Sequence, residues 1–97
     1  MGLFAFYKVA YYVYIIQSVK DNSCYKGYSE HPAIRLVQHN NGESTYTSAK
    51  APWQLIYVEE LPTKRDALIR ERALKKYSHA QIEQLIFSEK NIVRSVG

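Results

Sequence analysis

The stretch Tyr11-Tyr12-Val13-Tyr14-Ile15-Ile16, followed after a polar break by Cys24-Tyr25-Lys26-Gly27-Tyr28, sets the frame for the whole chain. The first run is aromatic and β-branched at every position, the pattern of a central strand covered on both faces. Lys20-Asp21-Asn22-Ser23 between the runs is turn chemistry, so the two read as a β-hairpin in which Tyr25 and Gly27 share one face. A lone hairpin is marginal in water, and further elements must supply the core.

Downstream, Pro32 suits the first turn of a helix, with Ser29 or His31 as cap, and Asn41-Gly42 ends it. Residues 41–52 are polar and rich in breakers and read as one long connection. Trp53 to Glu59 is a third strand. Thr63, with Asp66 three residues on, opens a second long helix that ends near Tyr77, and Ser78 caps a last one. The expectation is an α+β domain: a three-stranded antiparallel sheet with strands near 11–18, 23–28 and 53–60. About three helices flank it, near 31–41, 63–76 and 78–88. Residues 1–10 are set aside as a lead-in, 11–88 as the domain and 89–97 as a tail.

With 97 residues, the chain has room for one hydrophobic core. Its 46% hydrophobic and 23% charged content argues against disorder and against a membrane protein. The apolar stretch Leu3 to Ile16 is broken by Lys8 and has no cleavage pattern, so it reads neither as a signal peptide nor as a span. The single Cys24 excludes an intramolecular disulfide and lacks the spacing of a zinc site, which fits a reducing cytoplasm. A net charge of +4 favours an anionic partner such as nucleic acid. Nine tyrosines against three Phe and one Trp put many hydroxyls in a small core, each needing a partner.

On a wheel of about 100° per residue, Ala67, Leu68 and Leu74 define an apolar face with Glu71 in its middle. A carboxylate aimed at the core is costly unless it is paired or binds a cation, so Glu71 is either half of a structural salt bridge or a functional group. Arg70, Arg72, Lys75 and Lys76 beside it are either a solvated face or phosphate contacts. In the first helix Ala33, Leu36 and Val37 occupy the core side. Arg35 then falls on the flank and His39 at the boundary, and the wheel favours an exposed pair. Tyr14 and Tyr25, taken singly, are explained by strand propensity and packing.

The ordered set is more telling than its members. Tyr12-Val13-Tyr14, Tyr25-Lys26-Gly27, Arg35, His39 and Glu71 resemble the GIY-YIG nuclease superfamily, above all its small stand-alone members. Asn40-Asn41-Gly42, Tyr46-Thr47, Pro52-Trp53, Leu55 to Glu59 and Glu71 to Lys76 extend the resemblance over about residues 11–87. Three positions depart from the pattern. Tyr12 stands where the name motif has Gly, Lys26 replaces the usual Ile, and Tyr28 stands where some relatives have Lys.

The resemblance implies a metal-dependent endonuclease acting on nucleic acid, DNA first, with a non-catalytic nucleic-acid-binding module as the alternative. It makes Glu71 the ligand of one Mg²⁺ (or Mn²⁺) and Tyr25 the acceptor of the attacking water's proton. Arg35 would favour a phenolate and hold phosphate, Tyr14 and His39 would orient water and phosphate, and Lys26, Arg70, Arg72, Lys75 and Lys76 would contact nucleic acid. A phenol with the ordinary pKa near 10 can take a proton only if its surroundings lower that value or it relays the proton onward.

Overall fold

The computed structural model describes residues 9–96; the proposed lead-in 1–10 therefore lies mostly outside the described residues. β1 (Tyr11–Ser18) and β2 (Cys24–Ser29) form the hairpin, and β3 (Trp53–Leu61) pairs with the other side of β1. All pairing is antiparallel in the order β2-β1-β3, so the most apolar run is the central strand. The hairpin closes on an Asx turn: Asp21 accepts from the Ser23 amide (3.0 Å) and hydroxyl (2.6 Å). Asn22 takes the left-handed conformation (φ 64°) that an asparagine tolerates better than most residues. Across β1 and β3 the register moves from Ile15↔Tyr57 to Ile16↔Leu55, leaving Ile56 as the extra residue of a β-bulge.

Because neighbouring strand residues point to opposite sides, β1 builds two cores. On one side Val13 and Ile15 pack with Tyr57 of β3, with Ala67 and Leu74 of α3 (Lys64–Leu74) and with Ile82 of α4 (His79–Ile86). On the other, Tyr14 and Ile16 pack with Trp53, Val58 and Leu36 of α1 (Pro32–Asn40). The helix starts follow the caps read from the sequence. Thr63 Oγ1 accepts from the Asp66 amide at 3.0 Å, and Ser78 forms a full capping box with Gln81.

Two short helices go beyond the three expected. α2 (Thr45–Ser48) lies within the long connection, residues 41–52. α5 (Val93–Val96) lies in the segment set aside as a tail, where Ile92, Val93 and Val96 pack on the second core. Asn91 fastens it: its side chain accepts from the Val58 amide (3.1 Å) and donates to the carbonyls of Ile56 (3.1 Å) and Ile86 (3.0 Å). No helix among the described residues is long and apolar enough to cross a membrane.

The buried structural salt bridge weighed for Glu71 is made elsewhere. Glu59, at the end of β3, accepts from Arg70 Nε at 3.0 Å and from the Tyr57 hydroxyl at 2.6 Å, and Arg70 also donates to Tyr77. Arg70 therefore corrects the expectation of a solvated, phosphate-contacting side chain: its guanidinium is committed to a network under the first core. Burial, with the Glu59 carboxylate beside it, drives the Tyr57 phenol far above its ordinary pKa, so it remains a hydrogen-bond donor.

Candidate active site

Tyr14 of β1 and Gly27 of β2 are cross-strand neighbours, and the Tyr14 ring lies over the bare Gly27 backbone. Its hydroxyl is 2.9 Å from His39 Nε2, and His39 Nδ1 is 2.7 Å from Thr47 Oγ1. Thr47 in turn donates to the Ser44 carbonyl at 3.5 Å. A Thr47 proton turned to Ser44 leaves the Thr47 oxygen to accept from Nδ1–H, the tautomer in which Nε2 accepts the Tyr14 proton.

His39 is thus fully buried, which overturns the boundary position and exposed pair favoured by the wheel. The helix is turned so that Pro32, Leu36 and His39 face inward, while Ile34 and Val37 are each 57% exposed and Ala33 is exposed as well. The physical reason lies in two partners outside the helix. Tyr14 and Thr47 satisfy both ring nitrogens, so the imidazole is buried without an orphaned polar atom, which would cost about 1–3 kcal/mol.

Tyr25 completes an aromatic group, its ring 5.1 Å from His39 and 6.4 Å from Tyr14. Arg35 donates to Gln38 at 2.6 Å and stands beside the Tyr14 hydroxyl. Burial raises the Tyr14 pKa above the ordinary phenol value, the Arg35 guanidinium opposes this, and the charges of Tyr25 and Glu71 add to the rise. Burial, and then the Arg35 charge, hold His39 below the usual histidine value. The pair is therefore a neutral phenol donating to a neutral imidazole near pH 7.

Glu71 enters the site through its charge on Tyr14 and through Lys75, 3.5 Å away. Lys75 lines a cavity of about 570 Å³ together with Cys24, Tyr25, Lys26 and Tyr46. The Glu71 side chain is 19% exposed and Lys75 59%, so the carboxylate keeps some access to solvent while its partner extends into water. Of the remaining basic candidates, Lys76 is exposed, and Arg72 faces outward in a second groove with Lys64, Arg65, Leu68 and Ile69. Leu68 is thus partly in solvent rather than on the core face assigned to it.

The donor set tests the implied metal. No group of three or more His, Cys, Asp and Glu that could hold an ion occurs among the described residues, which does not suit zinc-type coordination. One partly exposed carboxylate does suit a Mg²⁺-type ion, which retains several waters and needs only one or two carboxylates.

Two contributors lie in the long connection, at the Tyr46-Thr47 pair that extends the resemblance but is given no role in the expected site. Thr47 is buried, with its hydroxyl on His39 and its carbonyl accepting from Trp53 Nε1 at 3.0 Å. Tyr46 stands at the cavity, its ring 5.8 Å from Tyr25. The signal available was one aromatic and its threonine neighbour in a polar stretch. Asn40 locks the loop from the other end, bonding both the amide (2.5 Å) and the carbonyl (3.0 Å) of Trp53.

The chain is similar to known proteins. Residues 10–84 match the GIY-YIG catalytic domain family. The chain is 40% identical over 77 residues to a UPF0213 protein of Staphylococcus saprophyticus, covering 78% of this chain and 93% of that one. It is also 40% identical over 79 residues to a UPF0213 protein of Clostridium perfringens, covering 80% and 84%. The solution NMR structure of a UPF0213 protein from Bacillus halodurans superposes with a TM-score of 0.53 at 30% identity, over 87% of this chain and 89% of that one. By the span of that match and the identity and coverage of these relatives, the chain belongs to the GIY-YIG catalytic domain family, a nuclease-type fold.

Proposed function

We propose that the protein is a metal-dependent endonuclease that hydrolyses phosphodiester bonds in nucleic acid, DNA first. The observation that carries this reading is the Tyr14–His39–Thr47 chain behind Tyr25 at a cavity walled by Lys26 and Lys75. A structural tyrosine cluster needs no buried neutral imidazole held against a phenol. A proton-handling site does.

Tyr25 lines the cavity and is the phenol a substrate water can reach; as a phenolate it takes the water's proton while the water oxygen bonds phosphorus and the bond to the leaving oxygen breaks, and the phenol so formed can return that proton to the leaving oxygen. Tyr14, behind it, is held by His39, whose neutral Nε2 offers a further resting place for a proton. Arg35 holds the phosphate and stabilises negative charge on the phenols, which its planar, permanently charged fork suits. Lys26, Arg72, Lys75 and Lys76 supply the charge that draws the nucleic-acid backbone. Glu71 would hold Mg²⁺ or Mn²⁺, which when bound supplies charge stabilisation to the phosphate and the leaving oxygen.

The test is incubation of the purified protein, with and without Mg²⁺ or Mn²⁺, with single-stranded, duplex, nicked and branched DNA and RNA. Cleavage of at least one substrate only with the cation is expected. Salt-sensitive binding with no cleavage under any condition would instead establish a binding module that keeps the fold.

A further inference from the structure

We propose that Tyr46 is a stacking platform for one unpaired nucleobase, which makes strands with unpaired nucleotides the substrate class. The inference rests on the nucleic-acid reading given above and extends it to a residue with no part in the chemistry.

Three observations converge on this ring. It is 83% exposed, the posture in which an aromatic forgoes the stabilisation that burial brings. Yet its backbone is fixed. Thr47, the next residue, is buried with its hydroxyl on His39 and its carbonyl on the Trp53 indole, and the Thr47 and Ser48 amides both return to the Ser44 carbonyl. A ring carried on a pinned backbone and left in water is preorganised for an outside partner. The second observation is position: Tyr46 tilts at 51° against Tyr25, so it flanks the phenol assigned to the attacking water. The third is charge and size. Lys26 and Lys75 share the cavity with it, and about 570 Å³ lies within the roughly 300–1,000 Å³ range of small-ligand pockets.

A flat apolar ring beside cations fits a base with its phosphate, because every nucleobase has a π-face and the backbone carries the charge. In a duplex both faces of a base are covered by its neighbours. Only an unpaired base can lay a face on Tyr46, as in a single strand, a loop, a flap or a branch point. Stacked there, the base places its own phosphodiester next to Tyr25 and between the two lysines.

The experiment measures binding rather than cleavage, in EDTA, by anisotropy of short labelled oligonucleotides. Wild type, Tyr46→Ala, Tyr46→Phe and Tyr46→Trp are compared on single-stranded DNA, single-stranded RNA, a blunt duplex, and the same single strand made abasic. Base stacking on one aromatic corresponds to about a 5- to 150-fold loss of single-strand affinity in Tyr46→Ala. Duplex affinity should stay within about twofold, and Phe and Trp should keep the wild-type value, since the face and not the hydroxyl binds. Wild type on the abasic strand should match Tyr46→Ala on the normal one. The DNA and RNA arms show which backbone carries the base.

Equal affinity of Tyr46→Ala and wild type for single strands, or equal losses on single strand and duplex, would overturn the proposal. So would no binding to any strand. Cation-dependent cleavage by a wild type whose binding ignores Tyr46 would keep the nuclease reading and remove the platform. A Tyr46-dependent single-strand preference without cleavage would do the reverse.

Discussion

The Tyr14 ring occupies the space a side chain at Gly27 would take: a Cβ there would stand 2.5 Å from the Tyr14 hydroxyl oxygen and 2.6 Å from Cζ. The glycine is thus required by a close approach of neighbouring strands. Gly27→Ala should push the ring away, costing about 1–3 kcal/mol as an overpacked site, and should part the Tyr14 hydroxyl from His39. Urea unfolding and cleavage assays should show a loss of rate larger than the loss of stability explains. A variant that is as stable and as active as wild type would show that the ring has room to move.

Glu71 and Glu59 make a matched pair of tests. Glu71→Gln breaks only an i,i+4 contact with a largely exposed lysine, worth about 0.3–0.5 kcal/mol, so the fold should hold. Cation-dependent cleavage should nevertheless disappear, with nucleic-acid affinity nearly unchanged. Glu59→Gln should do the opposite. It leaves Arg70 short of its carboxylate in a mostly buried network, for a loss of about 2–3 kcal/mol, somewhat less than a fully buried pair. At a temperature where it is folded it should cleave normally. Melting curves and rates measured together decide both, and a Glu71→Gln protein that cleaves at the wild-type rate removes Glu71 from the site.

Acidity should act through His39. Its folded-state pKa lies below the usual value, so between that pKa and about 6.5 the unfolded chain binds a proton the folded chain refuses. Stability must then rise with pH through this window and be lost as pH falls below about 6.5. The slope is at most about 1.4 kcal/mol per pH unit. Tyr14, Tyr25, Arg35 and Thr47 face the ring. Denaturant titrations should show a shallower pH dependence in His39→Gln over this range. Identical slopes would mean that His39 accepts its proton in place.

Binding should weaken steeply with salt, because Lys and Arg side chains displace the cations condensed on the phosphates. Lys76→Gln should lower the slope of log affinity against log salt by about one, because Lys76 is exposed. Arg70→Gln should leave the slope unaltered and melt earlier, because its charge is spent on Glu59 and Tyr77. Anisotropy titrations across salt concentrations separate the two, and an equal change in slope would return Arg70 to the surface.

Strand composition and caps made the frame readable, and side-chain partners distant in sequence made the rest unreadable. β1 runs over Tyr11–Ser18 as its residues demand, and the Thr63 and Ser78 caps sit where their hydroxyls can serve the first turns. His39 could not be placed from its helix, because a wheel turns apolar residues inward. Here Ile34 and Val37 yield to an imidazole whose partners are 25 and 8 residues away. Asn91 was hidden for the same reason: its bonds to β3 span 33 and 35 residues. Arg70 looked like one cation among four until Glu59, 11 residues back, claimed it.

The division of labour along β1 also limits how a gene for this domain can change. Val13 and Ile15 serve one core and Tyr14 and Ile16 the other, so gaining or losing a single codon in this strand would exchange the two sets. Isoleucine would then face His39, and a phenol would be thrust among Ala67 and Leu74. Point substitutions along β1 act one at a time, but a change of length acts on both halves at once. The sheet carries its extra residue in β3, at Ile56, where the bulge absorbs it and the register of the central strand with Tyr57 and Val58 survives. Insertions and deletions should therefore be tolerated in the turns and at that bulge, and be eliminated between Val13 and Ile16.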